Sequence, residues 1–174
     1  MVQPPSIKRK ALPAATYWSK PLIGVIKINC DAFVKDTTKL GVVVRDDRGA
    51  IIAAAVRKGG DGWSVEVAEA ATMAFGLQIA RRLGYTRIQV ESDALNVVSG
   101  VKLKANGCSP FFLIIDDIIA LSLLFDFFSI SHVRRSGNTV AHLVARWETN
   151  NCDELVCFGP FPQSLLTLAE LDLS

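Results

Sequence analysis

The cysteines lack the paired spacing of a structural zinc site. The four cysteines, Cys30, Cys108, Cys152 and Cys157, supply a single C-x4-C, and the two histidines, His132 and His142, do not complete a zinc pattern. Reduced thiols in an intracellular compartment, nucleus or cytoplasm, are expected from this usage. An uninterrupted apolar run is also missing. The longest candidate, Phe111 to Ile130, is broken by Asp116, Asp117 and Asp126, and carboxylates at that density argue against a membrane span. The first residues hold no apolar run suited to a signal peptide. Charge of one sign is scarce: 19 Lys and Arg against 17 Asp and Glu leave a net charge of +2, too small to name a polyanion partner by itself. There is no internal repeat and no low-complexity segment.

What is present is apolar material for a core. Half of the 174 residues are hydrophobic, enough for one domain to fold without disulfides or structural metal. The charges are unevenly placed along the chain. Before Asp31 stand Lys8, Arg9, Lys10, Lys20 and Lys27 with no acid; after Arg146 stand Glu148, Asp153, Glu154, Glu170 and Asp172 with no base. A basic start can touch phosphates or form a solvated leader. Pro4, Pro5, Pro13 and Pro21 mark residues 1–21 as leader or linker. The domain is expected over 22–150, with 151–174 a tail whose apolar residues can dock on it.

The periodicity predicts strands at Val25–Phe33, Leu40–Arg45 and Ile51–Val56, the last two separated by the turn Asp46-Asp47-Arg48-Gly49. A helix then follows from Ser64, its expected cap, to Leu83, with exit at Gly84. Next come a strand at Arg87–Glu91, a helix from Asp93, a helix at Phe111–Leu124, a strand at Phe127–Val133 and a helix after Asn138. That order predicts an α/β domain with a five-stranded mixed sheet flanked by helices.

Three carboxylates sit where such a sheet can bring them together, although sequence separation alone does not establish it. Asp31 lies at the far end of the first strand, Glu69 inside the first helix and Asp93 just after the fourth strand. A converging cluster repels itself, and hard divalent cations such as Mg2+ relieve this through oxygen ligands. Two such ions about 4 Å apart support phosphodiester hydrolysis. Each residue also has a plainer role: Asp31 as a turn cap, Asp93 as a helix cap, Glu69 as a solvated helix residue. His132 can be a structural strand histidine, His142 an exposed helix residue, and Glu91 the partner of a surface base.

Five segments in order resemble the plant ribonuclease H-like, reverse-transcriptase-associated domain family: WSKPLIGVIKINCDAF (Trp18 to Phe33), GVVVRDDRG (Gly41 to Gly49), AEAA (Ala68 to Ala71), VESDA (Val90 to Ala94) and HVRRSGNTVAHLVAR (His132 to Arg146). The resemblance covers roughly Trp18 to Trp147. It implies a ribonuclease H-like fold and a metal-dependent endonuclease that cuts RNA within RNA–DNA hybrids, using Mg2+ or Mn2+. Asp31, Glu69 and Asp93 match the family's first three metal carboxylates, and His142 stands where a fourth, an Asp, is usual. Ala32 replaces the usual Gly beside the first Asp. The loop Arg134-Arg135-Ser136-Gly137 lacks the mobile histidine of bacterial-type relatives, and Lys102 and Lys104 are the only bases between Asp93 and Phe127. On this reading His142 is a weaker metal ligand or steers product, while Asn29, Arg134, Arg135 and Asn138 contact the nucleic-acid backbone. The partner is an RNA–DNA hybrid or double-stranded nucleic acid, read by groove shape and 2′-hydroxyls, and the protein is a monomer. A non-cleaving nucleic-acid-binding module and a protein-interaction domain using the apolar tail are the alternatives.

Overall fold

A computed structural model describes residues 15–174, and Lys8, Arg9 and Lys10 lie outside them. Three antiparallel strands come first: β1 (Ile26–Val34), β2 (Thr38–Arg45) and β3 (Ile51–Lys58). Helix α1 (Val65–Arg82) follows, capped by Ser64, whose hydroxyl accepts from the Val67 N–H, and left through Gly84 at φ +78°. Then come β4 (Arg87–Ser92), α2 (Leu95–Leu103), α3 (Pro110–Ser122) and β5 (Phe127–His132). A 3-10 turn at Arg135–Gly137 leads into the short α4 (Thr139–Val144), β6 (Glu154–Cys157) and α5 (Gln163–Leu171). The strand order is β5-β4-β1-β2-β3-β6, with β4 parallel to both β1 and β5.

The expected mixed sheet is thus present with six strands rather than five. The sixth pairs antiparallel with β3. Its four residues lie in a tail punctuated by Gly159, Pro160 and Pro162, too short to carry a strand period, and they extend because β3 offers a free edge.

Alternation places two cores on opposite faces. On one, Ile28, Cys30, Val42, Val44, Ala53 and Ala55 pack under Phe75 and Leu77 of α1 and Ile115 and Ile118 of α3. On the other, Val43, Ala54 and Val56 pack under Val140 and Val144 of α4 and Leu165 and Ala169 of α5. The tail's Leu165 and Ala169 are therefore spent inside the domain, while Phe158 and Leu171 stay exposed. Among the described residues no helix is long and apolar enough to cross a membrane, and all four cysteines are free thiols.

The second face also covers the polar side of β1. Lys27, Asn29 and Asp31 alternate as a solvated strand face would, yet all three are buried. Lys27, read as part of a basic start, instead forms a buried ion pair with Glu91 (Nζ–Oε1 2.6 Å) and donates to the Ser19 carbonyl. Glu91 is accordingly no surface residue. Trp18, placed by the sequence reading in the leader, is buried; its indole N–H donates to Asn29 Oδ1 at 2.9 Å. Arg45 stacks on its ring at 3.6 Å and bonds Asp172 Oδ2, Ala169 O and Gly49 O. Burial pulls Lys27 and Arg45 below their ordinary ranges, opposed by Glu91 and Asp172 respectively.

The linear charge asymmetry dissolves in the same way. Acids of the C-terminal segment meet bases of β2, β3 and α1: Glu148 with Lys39, Asp153 with Lys58, Glu154 with Arg57 and Arg82, and Asp172 with Arg45.

Candidate metal centre

Three elements deliver the carboxylates. Asp31 sits in β1 opposite Gly41 of β2, Asp93 follows the last residue of the parallel neighbour β4, and Glu69 projects from α1. Ligand oxygens of Asp31, Glu69 and Asp93 all lie within 4.8 Å of one another. Beside them runs a groove of about 330 Å³ lined by Glu66, Glu69, Asp93, Leu95 and Asn96.

The cluster is electrostatically unfavourable without a cation. Burial and then the Asp93 charge push Asp31 up to about 7, against the pull of Arg135 and Arg146. Burial and then the Asp31 and Asp93 charges push Glu69 up to about 8, only partly offset by a hydrogen bond from the Ala32 backbone. Glu69 Oε2 is buried and has no hydrogen-bond partner, an arrangement that normally costs about 1–3 kcal/mol. An orphaned acceptor, three crowded carboxylates and an all-oxygen donor set fit a hard divalent cation. The cluster can hold a divalent metal ion such as Mg2+.

Two other residues brace it. His132 donates its Nε2–H to the Asp93 carbonyl at 3.1 Å. Asn138 donates Nδ2 to Cys30 O at 2.9 Å and, more weakly, to Asp93 Oδ1 at 3.4 Å, and its Oδ1 accepts from Asn29 Nδ2. Asn29 and Asn138, assigned by the sequence reading to backbone contact, are both buried with their amides committed to internal partners. They tie β1 to the start of α4 and offer little surface to a nucleic acid. Arg134 and Arg135 are exposed.

His142 approaches Asp31 but does not join the carboxylate cluster. Its Nδ1 lies 2.9 Å from Asp31 Oδ2, and Arg135 Nη2 lies 3.1 Å from Nε2. Arg135 Nη2 is also 3.2 Å from Nδ1, which puts it over the ring face rather than in line with the Nε2 lone pair; a neutral ring with its proton on Nδ1 donates to Asp31. In that state Nδ1 has no lone pair free for a metal. Burial, Arg146 and Arg135 all hold the imidazole below its ordinary range. Arg146, one turn beyond His142, donates to the His142 carbonyl at 2.7 Å and reaches within 3.9 Å of Asp31 Oδ2. The sequence reading gave it no role, although the i, i+4 spacing from His142 signals the same helix face.

Gly41 makes this juxtaposition possible. A Cβ there would fall 2.4 Å from Ala145 N and 2.5 Å from Ala145 Cα, so only glycine lets the end of α4 rest on the strand beside Asp31.

Residues 29–148, well over half the chain, match the family described as reverse transcriptase-like. The chain belongs to the reverse transcriptase-like family. No curated protein sequence matches it. Similar solved structures include RNase H1 from Halobacterium salinarum, with a TM-score of 0.64, 21% identity, and coverage of 68% of this chain and 92% of that one. The N-terminal RNase H domain of a Mycobacterium tuberculosis protein, solved as a maltose-binding-protein fusion, gives 0.63, 21%, and 86% and 98%. LC11-RNase H1 in complex with RNA/DNA hybrid gives 0.61, 17%, and 68% and 92%. This member of the reverse transcriptase-like family therefore has a ribonuclease H-like fold, with an acidic cluster between β1, α1 and the end of β4.

Proposed function

We propose that the protein is a divalent-metal-dependent endonuclease that hydrolyses the RNA strand of RNA–DNA hybrids. The observation that carries this reading is the convergence of Asp31, Glu69 and Asp93 within 4.8 Å around the unpartnered Glu69 Oε2. Asp31, Glu69 and Asp93 would hold Mg2+, or Mn2+ in its place. When bound, such a cation polarises water and offsets charge on the phosphate and the leaving oxygen. In the reaction the water oxygen joins phosphorus, the P–O3′ bond breaks, and a proton passes to the departing 3′ oxygen.

The chain's own residues place these partners. The parallel pairing of β1 with β4 ends at Cys30 and Ser92, which places Asp31 and Asp93 side by side just beyond it, and His132 pins the Asp93 backbone. Preorganised ligands of this kind need little rearrangement when substrate arrives. Arg134 and Arg135 would contact the phosphate backbone, which positions a hybrid without reading its sequence. His142, turned onto Asp31 and Arg135, steers the reacting groups or product as an Asp31-positioning residue, and it needs to rotate to act as a ligand. The groove beside Glu69 and Asp93 is open and shallow, a shape suited to a polymer surface. One chain carries all of these groups, so a monomer suffices.

The test compares the parent with Asp31→Asn on a labelled RNA–DNA hybrid in Mg2+ and in Mn2+. The parent cleaves the RNA strand and the variant loses at least about 100-fold in rate. Equal cleavage by both overturns the mechanism. Hybrid binding by a folded parent with no cleavage in either metal supports a non-cleaving nucleic-acid-binding module, a reading favoured by His142 in place of a fourth carboxylate.

A further inference from the structure

Among the described residues, cationic side chains reach the carboxylate cluster from one flank only. On the α4 side, Asp31 Oδ2 already accepts from His142 Nδ1 at 2.9 Å and faces Arg146 Nη1 at 3.9 Å. Arg135 stands behind His142, with Nη2 3.1 Å from its Nε2. Arg146 is braced in turn: it donates to the His142 carbonyl, and its Cζ sits 4.9 Å from the centre of the Phe33 ring. On the other flank, among the described residues, no Lys or Arg forms an ion pair with Glu69 or Asp93, and Glu69 Oε2 has no partner at all. Contact between Ala145 and Gly41 holds the α4 flank against β2.

We propose that this centre takes one divalent ion, on the Glu69–Asp93 side of Asp31, and that Arg135 and Arg146 supply the remaining positive charge from the His142 side by donating to the substrate phosphate. The proposal rests on the hydrolase reading above and specifies its charge arrangement. Three carboxylates and one phosphodiester carry four negative charges, which one divalent ion and two guanidinium groups match. A second divalent ion on the α4 side would sit against two guanidiniums, with His142 already in contact with Asp31 Oδ2. Like charges at such range repel strongly in a partly desolvated site. The guanidinium fork is also the side-chain geometry best suited to two oxygens of one phosphate.

The experiment uses the full chain. Mn2+ is titrated into the protein alone and into protein rapidly mixed with RNA–DNA hybrid and frozen before turnover, with EPR as the readout. One Mn2+ per chain, with an isolated-ion spectrum in both samples, is the expected result. A second equivalent with a spin-coupled pair overturns the proposal while leaving the hydrolase reading intact; no Mn2+ binding at all overturns both. Adding a carboxylate and removing the guanidiniums, in His142→Asp/Arg135→Ala/Arg146→Ala, should admit the second ion, and a stoichiometry that stays at one contradicts the charge argument. Phosphate contact has a separate readout. In metal-free hybrid binding, Arg146→Ala should lower the slope of log K against log[salt] by about 1, and an unchanged slope removes Arg146 from the proposal.

Discussion

Replacing Gly41 with alanine adds a methyl group where the backbone of another element already lies. The new Cβ would stand 2.4 Å from Ala145 N, 2.5 Å from Ala145 Cα and 2.7 Å from Ala145 Cβ. Ordinary contact begins near 3.4 Å, so the end of α4 must retreat by about 1 Å, or β2 must bend by as much. Overpacking of this kind costs about 1–3 kcal/mol, which for a domain of this size lowers Tm by roughly 2–12 °C. The functional loss should be larger than the stability loss suggests. His142 Nδ1 and Asp31 Oδ2 are 2.9 Å apart, and a retreat of about 1 Å carries them beyond hydrogen-bond range. Arg146 moves with the same helix end. A misplacement of that size can cost about 100-fold in rate. Calorimetry and initial rates on a labelled hybrid, measured side by side, check both effects. A Gly41→Ala protein that melts within about 1 °C of the parent and cleaves at the parental rate refutes the claim that close approach of α4 sets the centre.

Lys27→Met leaves Glu91 buried beside β1 without its counter-charge, a loss expected to cost about 3–5 kcal/mol. The double variant Lys27→Met/Glu91→Leu should recover most of it, as denaturant titration would show. Stability without metal should also depend on pH with a definite sign. Asp31 and Glu69, raised to about 7 and about 8, hold protons in the folded state where the unfolded chain has released them. Their contribution is complete below the unfolded carboxylate range and is lost as pH rises through the folded values. The Tm of metal-free protein should therefore fall between pH 5 and pH 8. Mg2+ should restore more at pH 8 than at pH 5, and Glu69→Gln should flatten the profile; a metal-free Tm that rises over that window contradicts the carboxylate crowding.

The segments that the sequence made legible were those whose pattern is local. The strand patterns at 25–33 and 51–56, the Ser64 cap, the Gly84 exit and the turn at Asp46–Gly49 each depend on a few neighbouring residues, and the structure has these features within about two residues of those places. The resemblance carried by the ordered motifs singled out Asp31, Glu69 and Asp93 as the acidic set; their spacing along the chain alone did not. The same alternation misled at Lys27 and Asn29. A polar face on a strand reads as solvated, and nothing local announces that Trp18, α4 and α5 cover it. Glu154–Cys157 escaped for a related reason, since a four-residue strand holds only two repeats of its own period.

What the sequence by itself determined was the order of elements, which follows from side-chain period close along the chain, and, through the motifs it shares with a known family, the identity of the acidic residues. Only the tertiary structure decided which charges meet. Acids after Arg146 pair with bases of β2, β3 and α1, Asn138 turns inward, and Arg146 and His142 come to rest on Asp31. Coulomb energy and desolvation depend on distance through space. Here that distance is set by Gly41, a residue with no side chain, allowing two backbones to touch.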